Sequence, residues 1–431
     1  MPDAKALARP PVLSLVTGGV LLIAAFVIAG QRQPGMDSAV YQSGALAVLH
    51  GQPLYESLHI PSPWADLPFT YPPIAALLFL PLAPLPLHGT WGVMAAISAL
   101  ALGVTVRVSL VSLLTKRPPE WLLNLLVLIP IGLQPIWSTI GLGQVNLLLM
   151  AMILLDVLAF KGKRYGGVLI GAAAAIKLTP LIFIPHLILT RRHADAARAA
   201  GTFIVLQGLG WLVLPADSLR FFTGAMVAGN GNRTFEAANQ SINGLVQRLS
   251  GEAPDAFAIS LALAVTCLAV HAILVRALDH HGQHLAALLV TAFCGLVISP
   301  VTWTHHWVWV VPLCLLLGYR VYVGRHRGTA PAGSGNRRGL SPHGLAAAGS
   351  LLIVLLTFSI DFRLFVPIGD RLELGWTMLE TLVGNAYLLA AAMVGLVGAV
   401  LVATHRPAAL GGRMPSQRQP EEPVLTTPRP W

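Results

Sequence analysis

Residues 12–30 read VLSLVTGGVLLIAAFVIAG, and residues 31–37 that follow read QRQPGMD. An uncharged apolar run of membrane length therefore ends in a polar stretch whose first carboxylate is Asp37. A chain crossing lipid must satisfy its own backbone hydrogen bonds, so such a run is read as a spanning helix. The polar loop extends from Gln31 to Tyr71, and the next charge after Asp37 is Glu56. A lone acid at a membrane surface, followed by Tyr41, Gln42 and Ser43, reads as a general base, or as the N-cap of a short helix. Residues 38–50 carry apolar side chains suited to a helix lying on the membrane. Beyond them, Tyr55, Pro61, Pro63, Trp64, Pro68, Phe69, Tyr71 and Pro72 suit the headgroup level and forbid a regular helix.

The same pattern recurs along the chain. Of 431 residues, 55% are hydrophobic and 11% charged, and the mean hydropathy is +0.70. Soluble domains carry about 25% charged residues. The reading is an all-α integral membrane protein, with no alternating segments of a membrane β-barrel. Further spans are expected at 73–87, 89–114, 121–138, 143–160, 166–190, 198–214, 256–278, 284–299, 304–322, 345–362 and 377–403. With 12–30 these make about 12, with short interfacial helices in two outer loops, 31–71 and 215–255. Loops 299–304 and 362–376 share the same outer face. Residues 1–11 form a cytoplasmic N-terminus, a retained signal-anchor. Residues 324–344 form a flexible basic cytoplasmic loop, and 404–431 a disordered cytoplasmic tail.

The net charge of +10 gathers between spans, at Arg191-Arg192, Arg325 to Arg327, Arg337-Arg338, Arg406 and Arg413. That is the positive-inside pattern and argues against a nucleic-acid partner. One conflict follows: twelve simple crossings put Lys116-Arg117 and Lys161 to Arg164 outside. An alternative path, also with 12 spans, crosses once within 73–114 and bends 166–190 into a re-entrant hairpin at Lys177 to Pro180. Cys267, Cys294 and Cys314 lie inside apolar runs and read as buried thiols without metal spacing.

Four constellations besides Asp37 carry chemistry. Lys177, in Ala-Ile-Lys-Leu-Thr-Pro, is an ionisable group within an apolar span; it serves an anionic phosphate or snorkels to the interface. Ser299 to Trp307 sets His305 and His306 between Trp303 and Trp307, and reads as a phosphate or sugar contact. Asn239, Gln240, Asn243 and Gln247 share a helix face with Arg248 close by; amides suit sugar hydroxyls and Arg248 suits a phosphate, or the helix is simply solvated. Gly141 to Asn146 lacks a nucleotide-loop pattern and reads as a close helix contact.

Met36-Asp37 with Val40-Tyr41, Ile176 to Pro180, Asn239 to Gly244, and Ser299-Pro300 through His305-His306 together resemble glycosyltransferase family 87, over about residues 12–403. The resemblance implies a GT-C-type fold around a lateral cavity open to the outer face. It implies Asp37 as catalytic base in an inverting transfer of mannose. The donor would be polyprenyl-phosphate-mannose and the acceptor a 2-hydroxyl of a phosphatidylinositol mannoside, both held among membrane lipids outside the plasma membrane. Met36 and Ser38 flank the acid, so no paired carboxylates stand ready for a metal, and no cofactor is expected. Lys177, Arg248, His305 and His306 are the candidates for the donor phosphate. Tyr41, Gln240, Asn243 and Trp303 are the candidates for sugar contact. Competing readings are another family 87 mannosyl- or arabinofuranosyltransferase, and a lipid or sugar transporter.

Overall fold

The computed structural model describes residues 9–27, 35–56, 58, 60, 67–116, 118–226, 233–327 and 340–404. Gln31 to Pro34, Pro61, Pro63, Trp64, Asn230, Asn232, the basic loop's 328–339 and the tail's 405–431 lie outside the described residues. The described residues form helices and turns without a strand; Asn239 and Trp303 make one isolated bridge. By length and composition, five helices suffice to cross a membrane: Leu87–Leu113, His193–Val213, Ala256–His280, Thr304–Arg325 and Pro342–Ser359. Two bent pairs, Glu120–Gly132 with Gln134–Leu142 (84°) and Met378–Gly384 with Ala386–Ala399 (73°), bring the number to seven. Shorter apolar helices include Val12–Ala24, Asn146–Ala159 and His284–Ile298.

Traced in order, segments 12–27, 87–113, 120–142, 146–159, 193–213, 256–280, 284–298, 304–327, 342–359 and 386–404 run alternately between two ends of one bundle. Hydrogen bonds identify each end. At one, Leu13 N meets Asn124, Arg107 meets Glu120, Lys161 meets His284, and Arg320 meets Gln283. At the other, Gly35 N meets Gly141 O, Thr139 meets the His305 carbonyl, and Gln240 meets the Gly384 carbonyl.

Two expected spans are not continuous helices of membrane length. In 73–87, Pro73–Leu78 and the 3-10 turn Leu80–Leu82 are all the helix there is. Pro81, Pro84 and Pro86 stop a longer one, and crossing takes about 20 residues. In 166–190, the Val168–Ile176 helix is about 14 Å long. It ends at Lys177, whose backbone is extended (φ −145, ψ 131). A 3-10 turn, Thr179–Ile182, and the Phe183–Leu189 helix then bring the chain back. Buried Asp156 accepts from Gly167 N and Ile170 N at the start of this excursion, while Arg192 at its end donates to the Asp156 and Val157 carbonyls. The segment returns to the level it left, with Lys177 at its turn. This is the hairpin path, and it puts Lys116, Lys161 to Arg164 and Arg191-Arg192 at one end.

Candidate functional site

The Met36–Leu49 helix starts from Gly35, which sits at φ 99, a left-handed conformation open to glycine at little cost. Its N–H donates to Gly141 O at 3.0 Å, pinning the helix start to the end of Gln134–Leu142. Asp37 is therefore the second residue of the helix, not its N-cap, and the helix has no side-chain cap. Nor does this helix lie on the membrane: Ser38 to Ala45 are all buried in the bundle. The carboxylate stands in the first turn, where the helix dipole favours an anion.

Opposite it, Gly143 (φ +67) ends the Gln134–Leu142 helix. A Cβ there would come within 2.7 Å of Ser38, so only glycine lets the two segments touch this closely. That contact delivers Gln144. Its Oε1 accepts from Tyr41 OH at 2.5 Å, Val145 N at 2.9 Å and Tyr71 OH at 3.0 Å. Asp37 Oδ2 is shielded from solvent and has no hydrogen-bond partner. Burial pushes the Asp37 carboxyl up to about 6, against the pull of the Lys177 charge. Burial foremost, then neighbouring negative charge, pushes the Tyr41 and Tyr71 phenols up, so both stay O–H donors.

Lys177, at the hairpin turn, sends Nζ to Asn146 Oδ1 and to His306 Nε2, both at 3.1 Å. An ammonium only donates, so His306 accepts through Nε2 and carries its proton on Nδ1. Lys177 Nζ also lies 5.8 Å from the centre of the Tyr71 ring. His306 and His305 lie on the 3-10 turn Thr304–Trp309, their rings perpendicular with centroids 4.7 Å apart. The His305 carbonyl accepts from Thr139 and Asn146. A cavity of about 60 Å³ opens beside Lys177, with Asn146, Thr302 and His306 at its polar side and Met150, Phe183, Leu296 and Trp309 at its apolar side.

Lys177 thus meets Asn146, His306 and the Tyr71 ring, and Asp37 lies near enough for its charge to act on the ammonium and on both phenols. Tyr41, expected to contact sugar, is fully buried, stacked on Phe79 at 4.4 Å, with its hydroxyl committed to Gln144 and Tyr71. The expected helix face over 239–248 is not formed as such: the helix is Ile242–Ser250, capped by Ser241, and Asn239 and Gln240 precede it. Asn239 Nδ2, Ser241 Oγ and Asn243 Nδ2 converge on the Pro300 carbonyl at 3.3, 3.3 and 3.0 Å. Asn239 Oδ1 accepts from Thr302 N. Gln240 donates to the Ala237 and Gly384 carbonyls and accepts from Tyr387 N. Arg248, 4% exposed, is committed to the carbonyls of Phe235, Glu236 and Asn239 and to Asn385. These side chains clamp residues 234–248 to residues 300–302 and 384–387; a buried donor with a fixed acceptor is not free for a phosphate. Trp303 pairs with Asn239 and carries the Arg233 guanidinium over its ring at 5.2 Å.

Gln144, Asn146 and Tyr71 are the members that sequence reasoning left out of the site. The polar pair inside Gly141 to Asn146 was the available signal. No group of three or more His, Cys, Asp or Glu side chains able to hold a metal ion occurs among the described residues.

Comparison with known proteins gives this geometry a lineage. The polyprenol-phosphate-mannose-dependent alpha-(1-2)-phosphatidylinositol mannoside mannosyltransferase of Mycobacterium tuberculosis is 32% identical over 324 residues, 71% of this chain and 75% of that protein. The corresponding phosphatidylinositol pentamannoside mannosyltransferase of Mycolicibacterium smegmatis is 37% identical over 294 residues, 65% of this chain and 69% of that protein. The crystal structure of ArnT from Cupriavidus metallidurans bound to undecaprenyl phosphate aligns over 90% of this chain and 76% of its own, at 14% identity. Its TM-score of 0.35 is too loose a likeness to carry an argument. Residues 69–300, more than half of the chain, match the model of glycosyltransferase family 87. With that match and these relatives, the chain belongs to glycosyltransferase family 87.

Proposed function

We propose that this chain moves mannose, with inversion, from polyprenyl-phosphate-mannose to a 2-hydroxyl of a mannosylated phosphatidylinositol lipid. It works on the outer face of the plasma membrane and without a metal ion. The observation that carries the reading is the unpartnered, shielded Oδ2 of Asp37, with the Lys177 ammonium near enough for the two charges to interact. The named activity of the relatives supplies the substrate class. The outer-face assignment is supported by Lys161, Arg164, Arg191 and Arg192, which gather at the bundle end away from Asp37, as cytoplasmic basic loops do.

In this mechanism the acceptor hydroxyl gives its proton to Asp37 Oδ2 as its oxygen attacks the anomeric carbon. The bond from that carbon to the polyprenyl phosphate oxygen breaks, and its electron pair stays on the phosphate. A carboxyl held near 6 is ionised at neutral pH, yet is a stronger base than an ordinary aspartate. Lys177, with His306 beside it, meets the charge gathering on the leaving group. A cation already fixed where charge develops needs no reorganisation during the reaction, and so lowers the barrier more than a mobile one would. The apolar side of the adjoining cavity suits the hydrocarbon next to that phosphate.

The test is incubation of the purified protein with polyprenyl-phosphate-mannose and a tetra- or pentamannosylated phosphatidylinositol, followed by mass analysis. A gain of one hexose in α-1,2 linkage is expected. Folded protein that leaves every such lipid unchanged would sink the reading.

A further inference from the structure

We propose that residues 360–384, which join the Pro342–Ser359 helix to the Ala386–Thr404 helix at the site's end of the bundle, are an interfacial wedge seated in the hydrocarbon of the adjacent lipid leaflet, not a loop in water. The wedge does not depend on which reaction the protein catalyses.

This stretch folds into two 3-10 turns, Phe362–Phe365 and Leu372–Gly375, and a short helix, Met378–Gly384. Eight of its large apolar side chains are exposed, the most open being Leu364 (80%), Phe365 (65%), Met378 (82%) and Leu379 (71%). Residues 233–255, at the same end, expose one, Leu249. Surfaces that face water rarely carry so much open apolar area without a partner.

Three features name that partner as lipid. The first is the pattern on the short helix. At about 100° per residue, Met378, Leu379, Leu382 and Val383 share one side, and Glu380 and Thr381 the other. Glu380 closes the start of the helix by accepting from Thr377 N and Thr377 Oγ1. The second is direction. The short helix bends 73° from the Ala386–Ala399 segment that follows. With that segment running along the bundle, the short helix lies near the plane of the membrane, as interfacial amphipathic helices do. The third is continuity. Leu352 and Leu356 are exposed on the preceding helix, and Ile360 and Leu364 follow at the same four-residue step. On the helix after it, Leu389, Met393 and Leu396 are exposed. The wedge thus extends the lipid-facing surfaces of its two neighbours, and its Phe362–Phe365 turn packs on Met378–Gly384 to join the halves.

Most of its charges are answered within the protein. Asp361 pairs with Arg363, Arg371 pairs with Glu252, and Glu373 accepts from Gly369 N. Where the wedge ends, the Gly384 carbonyl accepts from Gln240 and Asn385 Oδ1 from Arg248. The 239–248 clamp therefore holds it to the bundle on the side away from lipid.

The test is spin labelling of the full chain in phosphatidylcholine vesicles. In a Cys267→Ala, Cys294→Ala, Cys314→Ala background, Leu364→Cys and Met378→Cys carry the label, and Arg371→Cys at the polar turn is the water reference. Labels at 364 and 378 should collide with oxygen and not with a water-soluble nickel chelate, at a depth of about 5–10 Å below the phosphates. The label at 371 should meet the chelate. Phe365→Cys and Leu379→Cys repeat the measurement should either variant lose the wild-type thermal midpoint. Labels at 364 and 378 as open to the chelate as 371 would overturn the wedge. Labels shielded from both reagents would overturn lipid as the occupant and put a second copy of the chain there.

Discussion

Two polar clusters stand at the same end of the bundle, and they are built to opposite rules. In the 239–248 cluster, Asn239, Gln240 and Arg248 are buried, and backbone carbonyls and amides take up their amide groups and most of the Arg248 guanidinium. In the Asp37 cluster, an acid keeps one oxygen without a partner and an ammonium rests on neutral groups only, Asn146 and His306. Burying an unpartnered carboxylate oxygen costs stability. The lesson is that residue type does not separate a site from a clamp. What differs is the kind of partner: the clamp's side chains are spent mostly on backbone groups, with only the Arg248 Nε left over, whereas the Asp37 site holds an acid and an ammonium that do not pair with each other.

That contrast can be broken by substitution. Lys177→Ala should lower kcat by about 100-fold, the usual cost of removing one stabiliser of developing charge, and weaken use of the donor. Unchanged donor kinetics would move Lys177 into the structural class. Asn239→Ala should behave the other way. It leaves Thr302 N without its side-chain acceptor and the Thr234 carbonyl without its side-chain donor, at a cost of about 1–3 kcal/mol, read as a lower thermal midpoint. The remaining folded protein should keep its donor KM; a raised donor KM without lost stability would put Asn239 in the site. Between these extremes lies pH. Because burial raises the folded-state pKa of Asp37 to about 6, activity should fall on acidification through that value, as the base becomes protonated. The same sign means that the ionised form is the one the fold disfavours at neutral pH. Asp37→Asn should therefore not lower the thermal midpoint; a clear drop would show the acid to be structural. Smallest of all, chelation with EDTA should leave turnover within about twofold, since no step here is assigned to a metal.

How much of this was legible in the sequence divides along the same line. Spans show themselves by hydropathy, and Asp37, Lys177 and the His305-His306 pair show themselves as polar groups where lipid-level chain is otherwise apolar. Length was misleading in 73–87, where three prolines cut an apolar run into turns. The hairpin at Lys177 was one of two paths the sequence permitted, and the choice depends on Asp156, Gly167 and Arg192 meeting across 36 residues. Tyr71 read as an interfacial aromatic, and Gln144 as a helix contact, because their roles exist only once three distant segments converge. The amides of 239–243 and Arg248 read as sugar and phosphate ligands for the converse reason: composition displays donors but not the carbonyls that consume them.

The central claim is that a single acid removes the proton from the attacking sugar hydroxyl. The most direct measurement is single-turnover transfer of mannose by purified Asp37→Asn beside the wild type, with both lipids saturating and the product identified by mass. The account predicts an unaltered thermal midpoint and a rate lower by about 1,000-fold or more. Transfer at a rate close to the wild type's would contradict it.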